Sequence, residues 1–295
     1  MTLIERDALA EVDWKELIEL RWDQKFDPIQ SWLSFLINHR IRGIELVISR
    51  FNLMVNWVIS EILLTRSQAD RERVISKFIH VAARARQYQN FATMMQIVLA
   101  LSSGKIQCLS RTWKQVSREN MTLLTELERL VIPFKNFQNL RAELNALNPA
   151  VGCIPFVGLY LSDLTFNAER PSHVTRTDKG KKPHTETAKT SMSFTTRNSE
   201  TARSSSVSSA RSADSTSTTT SIPSTASEES LASTTLINFD RFRTSASIVR
   251  SLIQCIEWSK HYTFEPNDDI VAKCLYICSL TSDEMEKCHE YLIDP

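Results

Sequence analysis

Apolar residues recur along this chain at spacings of three and four, the period of a helix buried along one face, and not at the alternation of two that a half-buried strand requires. From Ile41 to Leu64 the positions Ile44, Val47, Ile48, Phe51, Met54, Val55, Val58 and Leu63 keep that spacing, which predicts one long amphipathic helix. Further helices are predicted over 69–88, 91–101, 118–130, 137–147, 237–258, 269–278 and 282–291. Three starts are written as a capping residue with a carboxylate three positions on: Thr2 with Glu5, Asp13 with Glu16, and Thr281 with Glu284. No strand run competes, and no pattern repeats at the roughly 30 to 45 residues of a helical solenoid. The expectation is an all-α chain, a single irregular helical domain over 1–295.

One stretch breaks the pattern. From Pro171 to Thr235 the sequence turns to Ser, Thr and short charged residues, with Phe194 its one aromatic. Such a segment cannot offset its conformational entropy by burial, so 171–235 is expected to be a disordered insertion, with helical sequence resuming at Leu236. Closure entropy grows only logarithmically with loop length, so the domain tolerates it. Lys182 three before Thr185 and Arg203 three before Ser206 suggest sites for a basic-directed kinase; a spacer with incidental hydroxyls is the equal alternative.

Charge and composition narrow the function classes. Thirty-five Lys and Arg nearly cancel 34 Asp and Glu, so no global field draws nucleic acid or an anionic membrane. Arg40, Arg42, Glu45 and Arg50 interrupt the longest apolar region before it reaches the roughly 20 residues of a membrane span, and the expected location is cytoplasmic. With only five glycines, a phosphate-cradling loop or dinucleotide fingerprint is not expected, and no cofactor is implied. The histidines (His39, His80, His173, His184, His261, His289) have no partner spacing for a nucleophile or metal site, which argues against a hydrolase. Cys274, Cys278, Cys288 and His289 could hold zinc, but Cys274 and Cys278 are one helical turn apart on an apolar face and read as core cysteines first.

The segment Ile154–Phe166 is apolar nearly all round, as in a central core helix, yet Asn167, Ala168, Glu169 and Arg170 carry polarity to its end before the insertion begins. That ending also suits an arm that leaves the domain with a carboxylate at its tip.

Several segments, in order, resemble the Ras-type exchange factors of the Cdc25-homology class. They are Thr2–Glu5, Ile48–Val58, Ser76–Ala82, Asn90–Met95, Asn136–Phe137 with Arg141, Pro155–Phe166 and Leu236–Phe239. The insertion and Asn238–Phe242 are similar, more narrowly, to the fungal low-temperature-essential type of the mitotic-exit pathway. The resemblance implies a bowl of helices that holds the second switch of a Ras-like GTPase, and a projecting helical hairpin that displaces the first. Phe156 to Glu169 would be its first arm and Leu236 to Trp258 its return. It implies that Glu169, Thr165 and Ser162 act at the nucleotide site, Thr165 near the magnesium position and Glu169 against the phosphate-binding loop. Contacts to the partner are implied for Ile48, Ser49, Asn52, Met95, Ser102, Phe137, Phe156, Asp163, Phe239 and Asp240. Such a factor does no covalent chemistry.

The chain departs from the family pattern at Ser102, where asparagine is usual, at Cys108, where arginine is usual, and at Thr244, where a basic residue is common. The turn after Glu169 is shortened to Arg170-Pro171, and two extra residues precede the hairpin near Val151 and Gly152. Family members also carry an N-terminal helical module that braces the hairpin, whereas this sequence starts at the core, as an excised domain or a self-sufficient one would. These departures keep open an exchange-inactive scaffold of the same fold.

Overall fold

The computed structural model describes residues 1–22, 28–38, 42–175 and 235–293; the Ser/Thr-rich stretch with Lys182, Thr185, Arg203 and Ser206 lies outside the described residues. The chain divides into two units, Met1–Pro171 with Phe239–Pro295, and Ser172–Asn238.

The first unit is all-α. Its helices are α1 (Thr2–Ala10), α2 (Trp14–Glu19), α3 (Trp32–Asn38), α4 (Gly43–Leu64), α5 (Gln68–Gln87), α6 (Phe91–Leu101) and the short α7 (Gly104–Gln107) and α8 (Ser110–Trp113). There follow α9 (Arg118–Val131), α10 (Gln138–Asn145), α11 (Val157–Ala168), α12 (Phe239–Ser259), α13 (Asp268–Leu275) and α14 (Ser282–Ile293). By length and composition α4 would suffice to cross a membrane, which corrects the expectation that charge cuts this region short. It is instead a core helix, packed against α1, α5, α6 and α14, with Leu53, Met54, Val58 and Ile62 fully enclosed.

Arg50 interrupts the apolar sequence of α4 but not the helix, because its charge is matched inside. Its Nε donates to Glu5 Oε1 of α1 at 2.8 Å, and its guanidinium lies 4.7 Å from the ring centre of Trp32. Both groups are buried, and among the described residues Nη1 and Nη2 have no hydrogen-bond partner. A pair so enclosed adds little net stability, but removing one partner strands the other charge.

Two of the three expected capping boxes form, at Asp13 with Glu16 and at Thr281 with Glu284. Glu16 also accepts from the Ile44 N–H at 3.1 Å, so one carboxylate caps α2 and the entry to α4. Gly43 turns there with φ +66°, and a Cβ on it would overlap the Glu16 carboxylate. The third box does not form. Met1 is the N-cap of α1, Thr2 Oγ1 accepts from Asn90 Nδ2 at 3.0 Å, and Glu5 is committed to Arg50.

The second unit contains an antiparallel ribbon, β1 (His173–Thr175) with β2 (Thr235–Ile237), in the register His173 to Ile237, Val174 to Leu236 and Thr175 to Thr235. The ends of the insertion are therefore paired backbone, which corrects the expectation of no strand and of a helix beginning before Phe239. Strands of three residues are too short to leave a period in the sequence. A further correction concerns the cysteines: α13 ends at Leu275, so Cys274 and Cys278 do not share a helix face, and Cys278 is exposed.

Candidate functional site

α11 and α12 lie side by side as the two arms of a hairpin, and α2 packs against both. Near the base of the pair, Tyr160 Oη lies 3.6 Å from Cys255 Sγ, and burial pushes the Tyr160 phenol above its ordinary range. At the far end Asn167, itself buried, donates from Nδ2 to the Arg241 carbonyl and to Ser245 Oγ, both at 2.8 Å. Arg241 Nη2 returns a bond to the Ala168 carbonyl at 3.0 Å, and Arg170 Nη1 reaches Asn167 Oδ1 at 3.2 Å. The arms are thus clamped on each other through polar groups.

Ser162, Thr165 and Glu169 follow one another by three and four residues and so share one stripe of α11. Thr165 Oγ1 donates to the Leu161 carbonyl at 3.0 Å and accepts from Trp22 Nε1 at 3.3 Å, so its hydroxyl is engaged from the turn after α2. Glu169 is the exposed C-cap of α11. A carboxylate at a helix C-terminus meets the negative end of the dipole, at a cost of about 0.3–1 kcal/mol. This position is therefore poor for stability and well placed for a cationic or hydrogen-donating partner.

Three rings ahead of α11 touch in sequence, one pair tilted and the other edge-on. Phe156, just ahead of α11, lies 5.3 Å from Phe51 of α4 and 6.0 Å from Phe137, measured between ring centres. Gly158 permits this, because a Cβ there would collide with the Phe156 ring. Phe137 is held by an unusual turn: Lys135, Asn136 and Phe137 all have left-handed backbone, with φ of +47°, +55° and +57°. For side chains other than glycine that conformation costs on the order of 1–2 kcal/mol each, with asparagine the most tolerant.

The turn is tied to α11 through Asp163. Arg141 Nη2 of α10 lies 2.8 Å from each Asp163 oxygen, Asn136 Nδ2 donates to Oδ1 at 3.0 Å, and Arg141 Nε donates to the Asn136 carbonyl at 2.8 Å. Asp163 is therefore engaged by its own chain, with 21% of its side chain still accessible. Two other candidates for a partner contact are enclosed. Met95 is 1% exposed and Ser49 5%, so both support the surface from beneath and present no face to a partner.

The remaining candidates are placed as follows. Ile48 and Asn52 lie with Phe51 on one side of α4, Ile48 half-buried and Asn52 exposed. Phe156 is buried between its two ring neighbours, and Phe137 is half-buried at the edge. Ser102 is exposed at the end of α6 and its Oγ lies 3.4 Å from Glu128 Oε1 of α9. Phe239, 71% exposed, and Asp240 open α12. The sequence reading missed Trp22 and the structural parts played by Asn167 and Arg141. It also gave no sign that Phe166, Phe134 and Phe242 stand exposed. A groove of about 860 Å³ between α5, α9 and α10 contains none of the candidate residues.

Residues 1–198 match the family model described as the RasGEF domain. The chain is 35% identical over 288 residues to guanine nucleotide exchange factor LTE1 of Saccharomyces cerevisiae, an alignment covering 97% of this chain and 16% of that protein. It is 33% identical over 286 residues to guanine nucleotide exchange factor LTE1 of Candida glabrata, covering 97% and 17%. Guanine nucleotide exchange factor SDC25 of Saccharomyces cerevisiae is 32% identical over 166 residues, or 56% of this chain and 12% of its own length. The chain spans about one sixth of the length of the relatives that it matches nearly end to end.

Proposed function

The chain belongs to the RasGEF domain family, and from that premise we propose that it binds a Ras-like small GTPase, opens the nucleotide site and promotes release of GDP. The observation that carries this reading is the clamped pair α11 and α12, with Ser162, Thr165 and Glu169 on one stripe and an exposed carboxylate at its end, together with the ring cluster of Phe51, Phe156 and Phe137.

The reaction needs no covalent step. A GTPase holds its nucleotide through contacts to the phosphates and a magnesium ion. A ligand that favours the empty state lowers nucleotide affinity by the factor by which the nucleotide lowers the affinity for that ligand. The ring cluster with Ile48 and Asn52 would supply binding energy common to all states. The stripe on α11 would supply the difference between them: Glu169 competes with phosphate for hydrogen-bond donors and repels it by charge. The clamp at Asn167 keeps the arms together, so that little of this binding energy is spent ordering them.

A second reading is a GTPase-binding scaffold without exchange activity. Thr165 favours it, because its hydroxyl is already engaged by Trp22. Either protein would act in the cytoplasm, brought to a membrane through its GTPase. The test is release of a fluorescent GDP analogue from a panel of Ras-like GTPases, using this chain and Glu169→Ala. Acceleration that falls by about tenfold or more in the variant supports exchange through the hairpin. Stable binding without acceleration establishes the scaffold.

A further inference from the structure

We propose that Asp163 is a positioning residue for exchange, which acts by holding the turn at Lys135–Phe137 and not by touching the GTPase. The inference rests on the exchange-factor reading above. Three consecutive left-handed residues without a glycine persist only where their surroundings hold them. Here the hold is visible and comes from one carboxylate. Both Asp163 oxygens face Arg141 Nη2, and Oδ1 also takes the Asn136 side chain, the middle residue of the turn. Arg141 closes the ring of contacts by donating to the Asn136 backbone carbonyl.

The same turn ends on Phe137, whose ring lies against Phe156 one residue before α11. The first arm thus touches the Phe137 turn twice, through charge at Asp163 and through the ring at Phe156. A shift of α11 moves the turn, and a shift of the turn moves the ring that would meet the partner. Asp163 couples the arm that would open the nucleotide site to the platform that would bind the switch. The pair is only partly exposed, with 32% of the Arg141 side chain and 21% of the Asp163 side chain accessible, so solvent weakens it without dissolving it.

Asp163→Ala, Asp163→Asn, Arg141→Ala, the double alanine variant and the swap Asp163→Arg with Arg141→Asp test this in the full chain. Two quantities are measured: the rate of tryptic cleavage after Lys135, from the fragment ending there, and GDP release across a range of chain concentrations. In both single alanine variants cleavage after Lys135 is expected to rise about fivefold or more, with the double variant no faster than either. The concentration needed for half-maximal release should rise by a similar factor while the maximal rate stays within about twofold. The swap should recover part of both, and Asp163→Asn, which fills the same space, guards against simple misfolding.

A loss of exchange in Asp163→Ala that Arg141→Ala does not share, with cleavage unchanged, means that Asp163 contacts the partner and overturns the proposal. Faster cleavage with unaltered exchange overturns it as well, since the turn would then be structural only. If the wild-type chain exchanges and the variants fail to follow the pattern, the proposal falls alone. If the wild type releases no GDP from any GTPase, the exchange-factor reading falls first and takes the proposal with it.

Discussion

Replacing Asn167 by leucine should open the far end of the hairpin while leaving the rest of the first unit folded. The side chain is buried and makes two donated bonds of 2.8 Å, to the Arg241 carbonyl and to Ser245 Oγ, plus a longer accepted bond from Arg170. Leucine nearly conserves the volume, so the cavity term is small and the loss is mainly polar. Each net hydrogen bond contributes about 1 kcal/mol, and a buried group left without its partner costs about 1–3 kcal/mol. With the exposed Arg170 bond discounted, the sum is about 2–3 kcal/mol. Native-state hydrogen exchange separates this local effect from global unfolding. Amides in the last turn of α11 and those near 243–248 of α12 should exchange about thirtyfold faster or more, while α4 and α6 keep their protection. Ser245→Ala should give roughly one bond's worth of the same effect, and adding it to Asn167→Leu should change little further. A change below about twofold at the arms, or an equal loss of protection in α4, would refute the idea that this amide is a local clamp.

The buried pair makes a second, sharper prediction. Glu5→Leu should destabilise the chain by about 3–5 kcal/mol because it strands Arg50, whereas Glu5→Leu with Arg50→Met should regain most of the loss; urea unfolding that finds the single variant within 1 kcal/mol of wild type would contradict the geometry. A third concerns pH. The Thr281 backbone N–H, then its hydroxyl, hold the Glu284 carboxyl below the usual carboxylate range. A depressed carboxylate contributes stability above its unfolded value, about 4.3 for glutamate, and loses it as pH falls through the lower folded value. The first turn of α14 should therefore fray on acidification below about pH 4, and Thr281→Val, which removes the hydroxyl but keeps the backbone N–H, should weaken that dependence in amide exchange.

The fold was largely legible because helices buried along one face announce themselves. α4, α5, α6 and α9 fall within a residue or two of where apolar spacing put them. The capping signals show where that logic stops: Asp13 and Thr281 behave as their local sequence dictates, but Thr2 and Glu5 are claimed by Asn90 and Arg50, which lie far along the chain. The site was legible only in part, for the same reason. The half-buried or exposed setting of Ile48, Asn52 and Phe137 follows from helix spacing and the turn before α10. The engagement of Asp163 was not legible, because the groups that hold it lie 22 and 27 positions away and no local pattern records them. Met95 sits on a helix whose buried positions run all round, so spacing alone gave no way to say which of them reach the surface.

The ribbon of β1 and β2 has a use for the experimenter. Thr175 and Thr235 are cross-strand partners, so whatever sequence runs between them leaves and returns at one point. A port with adjoining ends is the requirement for splicing one folded protein into another, because the host need not stretch to accommodate the guest's termini. Each doubling of the intervening length adds only about 0.6 kcal/mol of closure cost. A fluorescent protein whose own ends lie close together can therefore replace 176–234 without a new junction in any helix.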